Sequence, residues 1–366
     1  MRLAFLADAS LPHTRRWVEY FAHRGHACLL LSLETGETGA CPVVSLPPRA
    51  WLPRFLRYTA SLPAAAAELR RFRPDVVNAH FLPNYGWMAV RLGARPLVLT
   101  TLGSDILLVP RKSPLHRWRT RHVLARCDRV TADAEMLGRA IVRFGVPAAR
   151  LLVVPFGIES GRFATPPPRP SEPLVLLSSR RLEPVYDVET LLRAVERLPA
   201  ALAARTELRL AGTGSQAEAL QRRLRERPPA TPVRFLGWLA PAVLDRELLA
   251  AQVYVSTARS DSTSVSLLEA MAAGCFPVVS DIAGNREWIR HEDNGLLFPC
   301  GHDEALARCL ERACADAELR ARAAAKNRAL VAERAGWERN MESVERLFQS
   351  LAPGGEPVPG VLPGGP

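Results

Sequence analysis

The chain has 366 residues, of which 48 are Lys or Arg and 37 Asp or Glu, for a net charge of +11. That length exceeds what one hydrophobic core usually organises, so two domains are expected. The longest apolar runs, such as the one around Leu29 to Leu31, are too short to span a bilayer. Strand-like sequence begins at Arg2 with no signal-peptide layout, so the expected location is cytoplasmic. The seven cysteines (28, 41, 127, 275, 300, 309 and 314) include no C-x-x-C pair, which argues for reduced thiols over a disulfide framework or zinc site.

Strand and helix patterns alternate along the whole chain, as expected of parallel sheets covered on both faces. In the first half, strands are predicted at 2–7, 27–32, 75–79, 97–101, 129–132 and 151–154, and helices at 14–24, 60–71, 113–126 and 134–144. The run Thr165-Pro-Pro-Pro-Arg-Pro170 reads as a stiff linker. Beyond it, strands at 174–178, 207–211, 233–236, 252–256 and 276–279 precede helices at 188–197, 215–225, 241–249, 264–273 and 284–289. A helix over 303–333, broken near Asp316, and an amphipathic helix over 336–351 follow. The expected domains are 1–165, with helix 337–351 packing back on it, and 170–336. The Pro/Gly-rich tail 353–366 is expected to be disordered.

Charge is divided unequally. Residues 1–165 hold 23 Lys/Arg against 11 Asp/Glu, a net of +12, so the whole basic excess lies there. An anionic partner is implied: a membrane surface, a phosphorylated acceptor or nucleic acid. No recognised nucleic-acid module accompanies the excess, which disfavours nucleic acid. Two basic-aromatic stretches, Trp51-Leu-Pro-Arg-Phe-Leu-Arg-Tyr58 and Arg111-Lys-Ser-Pro-Leu-His-Arg-Trp-Arg-Thr-Arg121, have the composition of a headgroup-zone surface.

The segment richest in chemistry is Ser260-Asp261-Ser-Thr-Ser264-Val265-Ser266-Leu-Leu-Glu269-Ala-Met-Ala-Ala-Gly274. A strand ends in small polar residues and a helix starts near Ser264, and helix N-termini present unpaired N–H groups and a positive dipole end to phosphate. Asp261 and Glu269, eight positions apart, frame that start, and carboxylates accept paired hydrogen bonds from vicinal hydroxyls. Ser179-Arg180-Arg181-Leu182 follows the first strand of the second half, at the strand end where α/β folds bind ligands. Leu210-Ala-Gly212-Thr-Gly214 is a strand followed by a glycine-rich turn. Asp75-Val-Val-Asn-Ala-His80 and Thr101-Leu-Gly-Ser-Asp105 are strand ends in the first half. His13 and Arg15 stand in its first loop.

These segments, in this order, resemble retaining family-four (group 1) glycosyltransferases of the GT-B fold, in which two Rossmann-like domains face each other across a cleft. The resemblance implies that Glu269 grips the donor ribose, Asp261 contacts the transferred sugar, and the N–H groups of Val265 and Ser266, with Ser264, hold the diphosphate. It implies that Arg181 neutralises the departing diphosphate. Tyr186 stands where a lysine is usual, with Arg180 a possible compensating charge. Gly212 belongs to the donor side, His80 lines the sugar pocket, and His13, Arg15 and Asp105 fall on the acceptor side. The implied activity is metal-independent hexosyl transfer from a nucleotide-diphosphate sugar, UDP or GDP, with no cofactor, to a glycan or lipid-linked acceptor in cell-envelope assembly, at the cytoplasmic face of a membrane. Asp261 in place of Glu, and Tyr186 in place of Lys, keep a catalytically inactive scaffold relative as the alternative, beside a basic nucleic-acid-binding protein.

Overall fold

The computed structural model describes residues 1–46, 51–159, 161–163 and 172–354, without the side chains of Arg54 and Phe55. The expected proline linker, and all of the expected tail beyond Gly354, lie outside the described residues. The chain forms two compact units, one of Met1–Pro155 with Arg339–Pro366 and the other of Phe156–Glu338.

The first unit is built on seven strands: β1 (Arg2–Leu6), β2 (Ala27–Ser32), β3 (Val43–Ser45), β4 (Val76–His80), β5 (Leu97–Thr100), β6 (Arg129–Ala132) and β7 (Leu151–Val153). They lie in the order β3-β2-β1-β4-β5-β6-β7, and every pairing is parallel. Parallel strands need crossover helices, which cover both faces and bury the strands completely. Leu3 to Leu6 and Val76 to His80 are accordingly all buried. The strand β3 was not anticipated: three residues at a sheet edge are too few to show a period.

The second unit has six parallel strands: β8 (Leu174–Ser178), β9 (Thr206–Ala211), β10 (Val233–Gly237), β11 (Val253–Ser256), β12 (Phe276–Ser280) and β13 (Leu296–Phe298). Their order is β10-β9-β8-β11-β12-β13. Two apolar clusters form, one around Leu176, Leu192 and Leu310 and one around Tyr254, Leu268 and Met271. The expected helix over 303–333 is two helices, Asp303–Ala315 and Ala317–Arg334, divided at Asp316, whose carboxylate caps the second by accepting from the Leu319 N–H at 2.8 Å. The expected helix at 284–289 is one turn, Ala283–Arg286.

The helix Trp337–Leu351 packs its apolar face into the first unit. Phe348 is buried and stacks on Phe21 with ring centroids 5.0 Å apart. Its Glu345 carboxylate accepts from His26 Nε2 at 2.7 Å and pairs with Arg24 at 3.0 Å. The N-terminal ammonium lies 3.3 Å from His26 Nδ1, so Nδ1 is the acceptor and Nε2 carries the proton given to Glu345. Burial pushes the Glu345 pKa up, but the bonds from His26 and Arg24 outweigh it and hold the group below the usual carboxylate range. A depressed folded pKa adds stability that is present above the unfolded value and lost as pH falls through the folded one. Glu345→Gln is therefore expected to lower unfolding free energy at neutral pH by roughly 1–3 kcal/mol. The gap to wild type should close on acidification below pH about 4. Urea titrations at both pH values check this, and a gap independent of pH would rule out the ion pair as its source.

Candidate functional site

In the second unit, the loop leaving β8 is held by backbone contacts. A Cβ at Gly212 would run into the carbonyl of Arg180, and one at Gly214 into that of Leu182. The Leu182 N–H donates to Thr213 O at 2.9 Å and Gln216 N–H to Leu182 O at 2.9 Å. Glycine is required after β9 because two backbones meet there with no room for a side chain. On the other side, Arg259 N–H donates to Val185 O at 2.8 Å and the Thr257 hydroxyl to Tyr186 O at 2.7 Å. The loops following β8, β9 and β11 are thereby locked at the carboxyl ends of their strands.

That lock aims Arg180 at the helix Val265–Ala273. Its guanidinium donates to Ser264 Oγ at 2.5 Å, Ser266 Oγ at 2.8 Å and Asp261 Oδ2 at 2.5 Å, and lies 4.3 Å from the centre of the Tyr186 ring. Its side chain is 9% exposed. Burial pulls its pKa down, but Asp261, Tyr254 and Tyr186 more than reverse this, so the group stays charged. Its Nε, also buried, has no acceptor among the described residues. Ser264 is the N-cap, its hydroxyl accepting from the Leu267 N–H at 3.3 Å. The N–H groups of Val265 and Ser266 open the helix, where no carbonyl one turn back is available to them. Tyr254 braces Ser266, hydroxyl to hydroxyl, at 2.8 Å.

Arg181, the arginine favoured by the sequence motif, is not in this cluster. Its side chain is 71% exposed and stands 3.4 Å from Glu183. Glu183 is itself engaged by the N–H and hydroxyl of Ser215. Tyr186 is brought into the cluster, as a platform beneath Arg180.

One and a half turns into the helix, the Glu269 carboxylate meets Arg162 Nη1 at 2.8 Å. Arg162 also grips Asp245, Nη2 to Oδ1 at 2.6 Å and Nε to both oxygens. Asp261 and Glu269, the two carboxylates framing the helix start, therefore each have their own arginine, Arg180 for Asp261 and Arg162 for Glu269. Neither Arg162 nor Asp245 stands in a motif; they lie 107 and 24 positions from Glu269, and no local spacing signals them.

In the first unit, His80 closes β4 and is buried. Asn78 Nδ2 donates to Val98 O at 3.1 Å and Thr100 Oγ1 at 2.9 Å. Its Oδ1 is thereby turned toward His80 Nε2 at 2.9 Å, so Nε2 carries the proton. Nδ1 has no partner among the described residues, and Trp17 stands edge-on at 5.4 Å. Burial, then the nearby His13, push the His80 pKa down to about 3, so the ring is neutral and an acceptor at Nδ1. His13 is likewise shifted down by burial, against Asp8. Arg15 is exposed.

Asp105 is fully buried and faces backbone, not an open surface. It accepts from Leu82 N–H at 3.1 Å and Leu102 N–H at 3.0 Å, tying the loops after β4 and β5 together. Burial raises its pKa to about 6 despite those bonds. The two basic-aromatic stretches differ. Trp51 is 78% exposed but Tyr58 is buried against Glu34 and Tyr85, whereas Leu115 and Trp118 are 62% and 52% exposed. No described helix is long and apolar enough to cross a membrane.

Comparison with known proteins accords with this arrangement. Residues 162–330 match the model of glycosyl transferases group 1, and residues 12–162 that of glycosyltransferase family 4. The lipopolysaccharide core biosynthesis glycosyltransferase LpsE of Rhizobium meliloti is 28% identical over 265 residues, 70% of each chain. The structure of sucrose-phosphate synthase from Thermosynechococcus elongatus superposes with a TM-score of 0.83 at 19% identity, covering 96% of this chain and 99% of that one. Anabaena HepE in complex with UDP-glucose gives 0.73 at 19% identity, over 96% and 100%. Two all-parallel α/β units, and the two family models that between them run from residue 12 to residue 330, establish that the chain belongs to the group 1 glycosyltransferases of the GT-B fold.

Proposed function

We propose that the protein is a retaining, metal-independent glycosyltransferase that moves a hexose from a nucleotide-diphosphate sugar to a hydroxyl of a glycan or glycolipid acceptor in cell-envelope assembly. The observation that carries the donor class is the buried Arg180 with its unpaired Nε, set on two serines at a helix N-terminus. A fixed cation held beside the unpaired N–H groups of a helix start suits a diphosphate. Tyr186 leaves this chain without the family's lysine at that position, and Arg180, stacked on the Tyr186 ring, supplies a positive charge from a different backbone position. The HepE complex with UDP-glucose supports a UDP-sugar as first candidate, and LpsE supports an envelope glycan as the product.

In the transfer, the bond from the anomeric carbon to the diphosphate breaks and its electron pair leaves with phosphate. The acceptor oxygen bonds to the same face of the sugar, and its proton passes to the departing phosphate oxygen. Arg180 and the helix N-terminus stabilise the charge that develops there. Glu269 holds the ribose hydroxyls and Asp261 the sugar. His80, neutral at working pH, offers Nδ1 to a sugar hydroxyl and takes no part as an acid.

Thermal shift with UDP-, GDP- and ADP-sugars tests the donor class, since a ligand that binds only the folded state raises the melting temperature. No shift with any of them overturns the reading. Transfer should continue in chelator, because helix terminus and arginine supply the neutralising charge; activity lost to chelator and restored by magnesium or manganese would refute this. The basic excess of residues 1–165 and the exposed Leu115 and Trp118 favour peripheral attachment at the cytoplasmic face of an anionic membrane.

A further inference from the structure

The first unit carries a pocket of about 290 Å³ lined by Ile106, Leu107, Pro110, Ala140 and Phe144 with Arg111, Arg117 and Arg143. Its floor is apolar and no acid lines it. The three arginines are exposed, and among the described residues their guanidinium groups have no hydrogen-bond or ion-pair partner. Arg162, Arg180, Arg197, Arg209, Arg223 and Arg286, by contrast, all find carboxylates. The exposed Leu115 and Val142 flank the pocket's arginines in sequence, as does Trp118.

We infer that this pocket binds the phosphate headgroup and the first apolar atoms of an anionic phospholipid. Guanidinium groups match phosphate oxygens in pairs, and three of them around an apolar floor suit a ligand that is anionic at one end and hydrocarbon next to it. The volume is near the lower end of the range for small-molecule sites, about 300 Å³. It admits a headgroup and the start of a chain, leaving the remainder in the bilayer beside Leu115 and Trp118. The inference rests on the peripheral-membrane reading and adds a specific site to it.

The test uses the full chain. Flotation with phosphatidylcholine vesicles, with and without phosphatidylglycerol, reads membrane attachment. Titration with monomeric dihexanoyl phosphatidate, and with inorganic phosphate, reads the pocket. Wild type should float with the anionic vesicles, less so in high salt, and bind the short-chain phosphatidate saturably and more tightly than phosphate. Arg111→Gln/Arg117→Gln/Arg143→Gln should weaken both by roughly tenfold or more. Ala140→Phe, which fills the floor and keeps every charge, should weaken phosphatidate binding by about tenfold. Arg222→Gln/Arg225→Gln/Arg227→Gln removes equal charge from the second unit and should change neither. Equal losses in that control, phosphate binding as tight as phosphatidate, or phosphatidate binding untouched by Ala140→Phe would each overturn the pocket. Failure of wild type to float would overturn the membrane reading with it, whereas flotation that survives the pocket variants sinks the pocket alone.

Discussion

Arg180→Ala is expected to lower turnover by roughly a hundred- to a thousandfold, the loss typical of one preorganised group facing charge that develops in a transition state. Arg181→Ala is expected to cost far less, because Arg181 stands in solvent beside Glu183, where water screens its charge. The sequence motif alone ranks these two arginines the other way round, so the pair separates motif position from geometry. Removing Arg180 also takes away the ion-pair partner of Asp261, which keeps the Ser262 N–H at 3.0 Å, and a largely buried carboxylate without its countercharge destabilises by roughly several kcal/mol. Two companions keep the result interpretable. Arg180→Lys retains the charge and loses the fork, so it should recover part of the turnover. Arg180→Ala/Asp261→Asn relieves the stranded charge and should restore stability without restoring transfer. If the double variant is stable and active, neither Arg180 nor the Asp261 carboxylate is needed for transfer. Near-normal turnover in a folded Arg180→Ala protein would exclude it from the leaving-group site.

Glu269→Gln is expected to raise the donor KM by roughly tenfold to a hundredfold, since hydrogen bonds to a charged group contribute about 1.5–3 kcal/mol. The amide keeps the shape of the side chain but loses the ion pair to Arg162, which remains held by Asp245. The ribose assignment makes a sharper demand. A sugar diphosphate lacking the nucleoside has no ribose to grip, so wild type and variant should use it equally poorly. A variant that is equally impaired with both donors places the fault in the fold or in the Arg162 cluster, not at a ribose contact. Arg162→Gln separates these: it should disturb stability through Asp245 and Glu269 together, with a smaller effect on KM than Glu269→Gln itself.

Much of the architecture is legible in the chain without coordinates. The apolar runs Leu174 to Ser178 and Phe276 to Val279 read as buried parallel strands, and the strands found there are buried at every residue. The helix after Ser264, and the division at Asp316, follow from capping chemistry that operates within three residues. Backbone periodicity and capping are local, so the sequence by itself determined the two parallel sheets, most of their longer helices and the helix start after Ser264. The three-residue strands Val43–Ser45 and Leu296–Phe298 escaped, because their pairing depends on a neighbouring strand more than on any pattern of their own. Tertiary structure alone decided which of two adjacent arginines faces the helix: the direction of a side chain just past a strand end is set by how the loop is pinned, here by Gly212, Gly214, Thr257 and Arg259. It likewise decided the pairing of Glu269 with Arg162 and the burial of Asp105 against Leu82 and Leu102. Partners remote in the chain meet only when sheets and loops close around them, and burial then fixes charge and direction that residue type leaves open.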